Sequence, residues 1–179
     1  MIETKNLIIR KSEWGDLEDF YRWEQDPAVT EFFSIRDGQT KEEVVRKYVA
    51  DDENPAAEQF TIMLKEKDDT RRIGRIVLAD IEKGWKAELW RIYIADTALR
   101  GKGYGREAME AIMEYCFCQL GLERLYLDHY TGNPASYLYL SLGFIYEGVL
   151  RKNCRKNGIL YDVHLMSMLR EEYDALFGE

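Results

Sequence analysis

The stretch that decides the fold is Ile94–Cys116, IADTALRGKGYGREAMEAIMEYC. It sets three glycines in five residues, Gly101, Gly103 and Gly105, between a strand-like run and a helix-like run. Glycine weakens regular structure and is favoured where backbone must bend or approach something closely. The spacing predicts a strand ending near Ala95 and a helix beginning near Gly105. Consecutive glycine N–H groups facing one point make an anion nest, and a helix N-terminus adds positive potential. Arg100, Lys102 and Arg106 add formal charge, so the turn suits a diphosphate. It is neither the G-x-x-x-x-G-K-[ST] phosphate loop nor the G-x-G-x-x-G dinucleotide pattern.

Downstream of the turn, Met109, Ile112, Met113, Cys116, Phe117 and Leu120 form one apolar helical face, closed by Gly121. Upstream, AELWRIYIAD, RRIGRIVLADI and QFTIMLKE alternate as strands. Nearer the N-terminus, NLIIRK is a short strand. A helix follows it, with Ser12 as its N-cap and Pro27 as its stop. A second helix opens on a Thr40–Glu43 capping box and ends before Pro55. Beyond Gly121 come strand ERLYLDHY, short helix PASYLYLSLG, strand FIYEGVLRK, strand LYDVHLMSML, and a closing helix over Tyr173–Phe177. The chain therefore reads as one α+β domain over residues 1–179, a mixed sheet flanked by helices.

Composition bounds the function. The 179 residues carry a formal charge of -8, against the basic footprint that nucleic-acid binding needs. That charge would favour a cationic partner such as an amine. No apolar run reaches the roughly 20 residues of a membrane span, and the N-terminal residues lack a signal-peptide pattern, so no membrane partner and a cytoplasmic location are expected. Cys116, Cys118 and Cys154 with His129 and His164 assemble no zinc pattern, so no metal is expected.

The R-x-x-G-x-G turn between a strand and a long amphipathic helix resembles the coenzyme A loop of the GNAT N-acetyltransferase superfamily. NPASYLYLSLGF, Asn133–Phe144, resembles that family's second signature. NLIIRKSEWGDLEDFYRWEQDPAVTEFF and GVLRKNCRKNGILYDVHLMSML resemble its branch of ribosomal-protein N-terminal acetyltransferases. The resemblance implies the acyl-CoA N-acyltransferase fold, with a central, twisted, largely antiparallel sheet. It also implies transfer of acetyl from acetyl-CoA to a primary amine: a protein N-terminus, a polyamine or another small amine. The alternative is a module that binds CoA or a nucleotide without turnover. A homodimer is left open.

By that resemblance, backbone amides from Gly101 to Arg106, Tyr104 included, hold the pyrophosphate. Arg100, Asn133 and Ser136 contact the cofactor, and Ile92, Tyr93 and Ile94 flank its arm. The N–H near Ile92 or Tyr93 would face the thioester oxygen. Acetyl transfer to an ammonium needs a base and benefits from an acid. Glu88, expected on the same strand face as Trp90 and Ile92, is the base candidate, with Asp128 and His129 as alternatives. Tyr139 is the acid candidate and Tyr137 the fallback. Asn133 and Gly143 are one residue closer than the family's usual spacing, which rotates a helix by about 100° between them. Asn133 can equally cap the short helix.

Overall fold

A computed structural model of the chain describes residues 1–178. Leu7–Lys11 alternates buried and partly exposed residues as strand β2, with the two-residue strand β1 (Ile2–Glu3) beside it. Ser12 does not cap the helix that follows. Its N–H donates to the Gln59 carbonyl and its hydroxyl meets that of Thr61 at 3.0 Å, so it extends strand pairing. Glu13 instead opens a one-turn 3-10 segment, Trp14–Asp16, that runs into α1 (Leu17–Trp23). Pro27 is likewise a start and not a stop: it is the first residue of α2 (Pro27–Thr30), capped by Asp26. Proline suits that position because its missing N–H would have had no helical partner. The Thr40–Glu43 capping box opens α3 (Lys41–Asp52) as expected.

Strands β3 (Glu58–Lys65), β4 (Thr70–Glu82) and β5 (Lys86–Ile94) form a meander. After it come α4 (Tyr104–Glu114), a π-helical turn (Tyr115–Gln119), β6 (Arg124–Tyr130), α5 (Ala135–Ser141), β7 (Ile145–Lys156), β8 (Ile159–Leu169) and α6 (Arg170–Phe177). Eight strands make one sheet in the order β1-β2-β3-β4-β5-β6-β8-β7. Every pairing is antiparallel except β5 with β6. That one parallel junction needs a crossover, which α4 supplies.

The amphipathic pattern of α4 puts Met109, Ile112 and Met113 against Ile76, Leu78, Leu125 and Leu127 on one sheet face. On the other face, Leu17 and Phe20 of α1 pack against Val44 and Tyr48 of α3. The sheet is thus covered on both sides, and its parallel junction lies inside.

Candidate active site

β5 and β6 pair over only three residues each, Lys86–Glu88 with Arg124–Tyr126. Beyond Glu88 they part, and the gap opens into a cleft of about 560 Å³. A bulge on β5 shapes its wall. Val77 pairs with Arg91 and Leu78 with Leu89, leaving Trp90 as the extra residue. An extra residue switches which way later side chains point. Ala87, Leu89, Ile92 and Ile94 therefore share the α4 face, whereas Arg91 and Tyr93 turn toward α1. Glu88 accordingly keeps Trp90 on its face but not Ile92, contrary to the unbroken alternation expected from the sequence.

Backbone direction along β5 follows the same geometry. The Ala95 N–H donates to the Ile73 carbonyl on β4 at 2.8 Å. Alternation turns Tyr93 N–H toward β4 as well, and turns Ile92 and Ile94 N–H to the open edge. Of the two amides considered for the thioester oxygen, Ile92 is the one that faces the cleft. The Tyr93 hydroxyl is committed to Glu24 at 3.1 Å.

The cleft continues to the glycine turn. Gly101 and Gly103 have φ of +74° and +89°, left-handed values that favour glycine, and no atom lies within 4 Å of where a Cβ would stand on Gly101, Gly103 or Gly105. Gly103 precedes the first residue of α4, so the turn delivers free amides at a helix N-terminus. That arrangement fits a pyrophosphate. Arg100, Gly101 and Gly105 line the cleft. Lys102, Gly103, Tyr104 and Arg106 lie outside its wall. The Arg106 guanidinium is tied to Glu110 at 3.0 Å and to the Ser141 hydroxyl at 2.6 Å. Arg100 donates to the Ala28 carbonyl at 2.6 Å, joining the turn to α2.

Across the gap, β6 and α5 supply the other wall. Leu125 and Leu127 point into the α4 core, so Tyr126 and Asp128 point to the side of Glu88. Burial pushes the Glu88 carboxyl up to about 7, and the nearby Asp128 and Asp80 carboxylates push the same way. Asp80 sits at a second bulge with φ of +48°. Burial also raises Asp128. His129 alternates onto the opposite face, beside Tyr139 and stacked on His164 at 5.3 Å. Burial holds its pKa below the ordinary imidazole value. The histidine considered as a base thus stands with the acid candidate.

Tyr139 is 8% exposed and lines the cleft, and burial pushes its hydroxyl up to about 12. Tyr137, at 77% exposure, projects to solvent. Asn133 lines the cleft while its Oδ1 accepts the Ala135 N–H at 2.9 Å, so capping and cleft position coexist. Ser136 is not part of the wall.

Sequence reading missed how the roof is fastened. Phe32, Phe33 and Ser34, after α2, line the cleft with Cys154 of β7. The tip of the β7–β8 hairpin fastens this segment: Asn157 Oδ1 accepts the Asp37 N–H at 2.9 Å, and Lys156 donates to the Thr30 carbonyl. Asn157 and Gly158 have φ of +50° and +79°, the Asn-Gly hairpin turn. That dipeptide was the available signal. Among the described residues, no group of three or more His, Cys, Asp or Glu side chains is placed to hold a metal ion.

Comparison with known proteins decides the family. Residues 6–145 match the family model described as an acetyltransferase (GNAT) domain. The chain belongs to the GNAT acetyltransferases. It is an acetyl-CoA-dependent N-acetyltransferase with the fold of that family. It is 30% identical over 174 residues to the N-acetyltransferase p20 of Bacillus licheniformis, covering 95% of this chain and 96% of the relative. It is 29% identical to the N-acetyltransferase YnaD of Bacillus subtilis, covering 97% and 99%. The spermidine N-acetyltransferase of Vibrio cholerae, in complex with CoA and spermine, superposes with a TM-score of 0.82 at 27% identity, covering 95% of this chain and 99% of that one. The narrower expectation, the ribosomal-protein N-terminal branch, draws no support from these relatives.

Proposed function

We propose that residues 1–179, as one N-acetyltransferase domain, move acetyl directly from acetyl-CoA to the primary amine of a small acceptor. One observation carries this reading: β5 and β6 part just beyond Glu88 into a cleft that Asp128 and Tyr139 line and that runs on to Arg100, Gly101 and Gly105 of the glycine turn. Gly101–Arg106 amides would hold the pyrophosphate, with Arg100, Asn133 and Ser136 contacting the cofactor. Ile92 and Ile94 would pair with its arm, and the Ile92 N–H would meet the thioester oxygen. Glu88, with a pKa near neutrality, takes the proton of the incoming ammonium. Tyr139 gives one to the departing thiolate.

Asp80, Glu88 and Asp128 make the base side attractive to a cation. Polyamines, named in the Vibrio relative, are the first class to test, and a peptide α-amine the second. A homodimer and a cytoplasmic setting belong to the same reading. For the dimer, the edge strand β7 exposes Ile145, Tyr146, Val149 and Leu150, apolar side chains that a second copy would cover, and sedimentation reads whether the mass is doubled. The function is tested by thiol release from acetyl-CoA against polyamines, ω-amino acids, peptides and simple alkylamines. Release with a small amine is expected. Silence across that panel, with acetyl-CoA still raising the Tm, would leave a CoA-binding module without turnover.

A further inference from the structure

The acid side of the cleft has a cationic counterpart that acetyl transfer alone does not call for. Arg91 follows the β5 bulge, so its side chain leaves the α4 face and enters the space beneath α1. There Glu24 Oε1 accepts from Arg75 Nη1 and from Arg91 Nη1, each at 2.9 Å, and from the Tyr93 hydroxyl. Arg75, 1% exposed, has a second partner in Gln59 Oε1 at 2.5 Å. Arg91, 5% exposed, makes a single side-chain hydrogen bond, to the same carboxylate oxygen that Arg75 uses. A second carboxylate in its field, Asp51, is ion-paired with Lys47 at 2.5 Å. Two buried guanidiniums on one carboxylate leave a positive charge uncancelled, and a buried charge is costly unless something pairs with it.

That charge borders the cleft. Arg91 is among the lining residues, and its guanidinium lies 4.4 Å from the Trp90 ring centroid and 5.8 Å from that of Phe33, both of which also line it. The rings restrict the planar fork, the geometry in which arginine pairs two N–H groups with a carboxylate.

We propose that Arg91 is an anion subsite of the acceptor pocket, and that the acceptor is an amine that also bears a carboxylate. Its ammonium faces Asp128, with the buried Glu88 beside that carboxylate; its carboxylate neutralises Arg91. The assignment rests on the small-amine reading above and narrows it. A diamine of the same length would bring a second cation toward an unneutralised guanidinium. By this charge arrangement the chain parts from relatives named for spermidine.

Calorimetric titration of the CoA-loaded protein with ω-amino acids from glycine to 6-aminohexanoate, each beside the diamine of equal carbon count, tests this. At one or more lengths the amino acid should bind at least about tenfold tighter, and Arg91→Gln should erase the preference while Arg91→Lys keeps part of it. Should Arg91→Gln fail to fold, the unmodified protein still decides through the ranking. Diamines binding as tightly at every length, or no measurable binding of any amino acid, overturns the subsite. Thiol release from acetyl-CoA is read in parallel. Release with diamines alone overturns the subsite and leaves the small-amine function standing. The predicted binding order without release from either series counts against that function and not against the subsite.

Discussion

At the scale of single residues, Glu88 is the group whose environment departs furthest from water in a way that suits its proposed task. Its carboxyl holds a proton up to about pH 7 because burial and two neighbouring carboxylates disfavour its charge. A base must be deprotonated to act, so kcat/KM should rise with pH through about 7. Glu88→Gln should remove that limb and lower kcat/KM by roughly 10²–10⁴-fold. An unchanged pH profile in the variant would move the role to Asp128 or to water. The sign for stability is opposite. A carboxyl with a raised folded-state pKa favours folding in its protonated form. That contribution is lost as pH rises from about 4.5, its ordinary value, to about 7. The glutamine variant should therefore lose less stability than the parent over that window.

Tyr139 makes a separate case. Its hydroxyl is protonated across the working range, with a pKa pushed up to about 12, and its ring sits in the core beside Phe144. Tyr139→Phe keeps the ring and removes the proton. Turnover should fall by roughly 10²-fold while acetyl-CoA binding stays within about twofold. Equal loss in both would make it a packing residue.

At the scale of elements, the glycine turn and α4 were legible in the sequence because their causes are local. Helical spacing places Met109, Ile112 and Met113 on one face whatever surrounds them, and all three are fully buried. The Thr40–Glu43 capping box is local for the same reason. The β5 bulge was not legible. Nothing around Trp90 marks it, since the extra residue exists only relative to the pairing of β4, and it decides which side chains enter the cleft. Pro27 misled because proline both stops and starts helices; what decided was Asp26 capping before it. A side chain on Gly103 meets no protein atom, so the cost of substitution is the left-handed φ of +89°. Gly103→Val should strain the turn by roughly 1–2 kcal/mol and weaken acetyl-CoA binding by about tenfold, read by thermal shift or titration. Unchanged affinity would separate the turn from the cofactor.

At the scale of the whole molecule, the Glu24–Arg75–Arg91 group links parts of the chain that local pattern cannot join. Glu24 lies 51 residues from Arg75 and 67 from Arg91. Isolated charged residues in a sequence read as surface, yet all three are buried. The group pins α1 to the middle strands and so sets the acceptor side of the cleft, from which the α2 segment and the hairpin tip build its roof. Glu24→Gln removes the negative charge and leaves two buried guanidiniums facing each other. Breaking a buried ion pair from one side costs about 3–5 kcal/mol. For a chain of this length that is a fall in Tm of roughly 6–20 °C, measured by calorimetry. Replacing all three by methionine should cost much less, because the remaining charges go as well. If the single variant melts within about 2 °C of the parent, water already reaches Arg75 and Arg91. The uncancelled charge assigned to Arg91 would then be screened before any acceptor arrives.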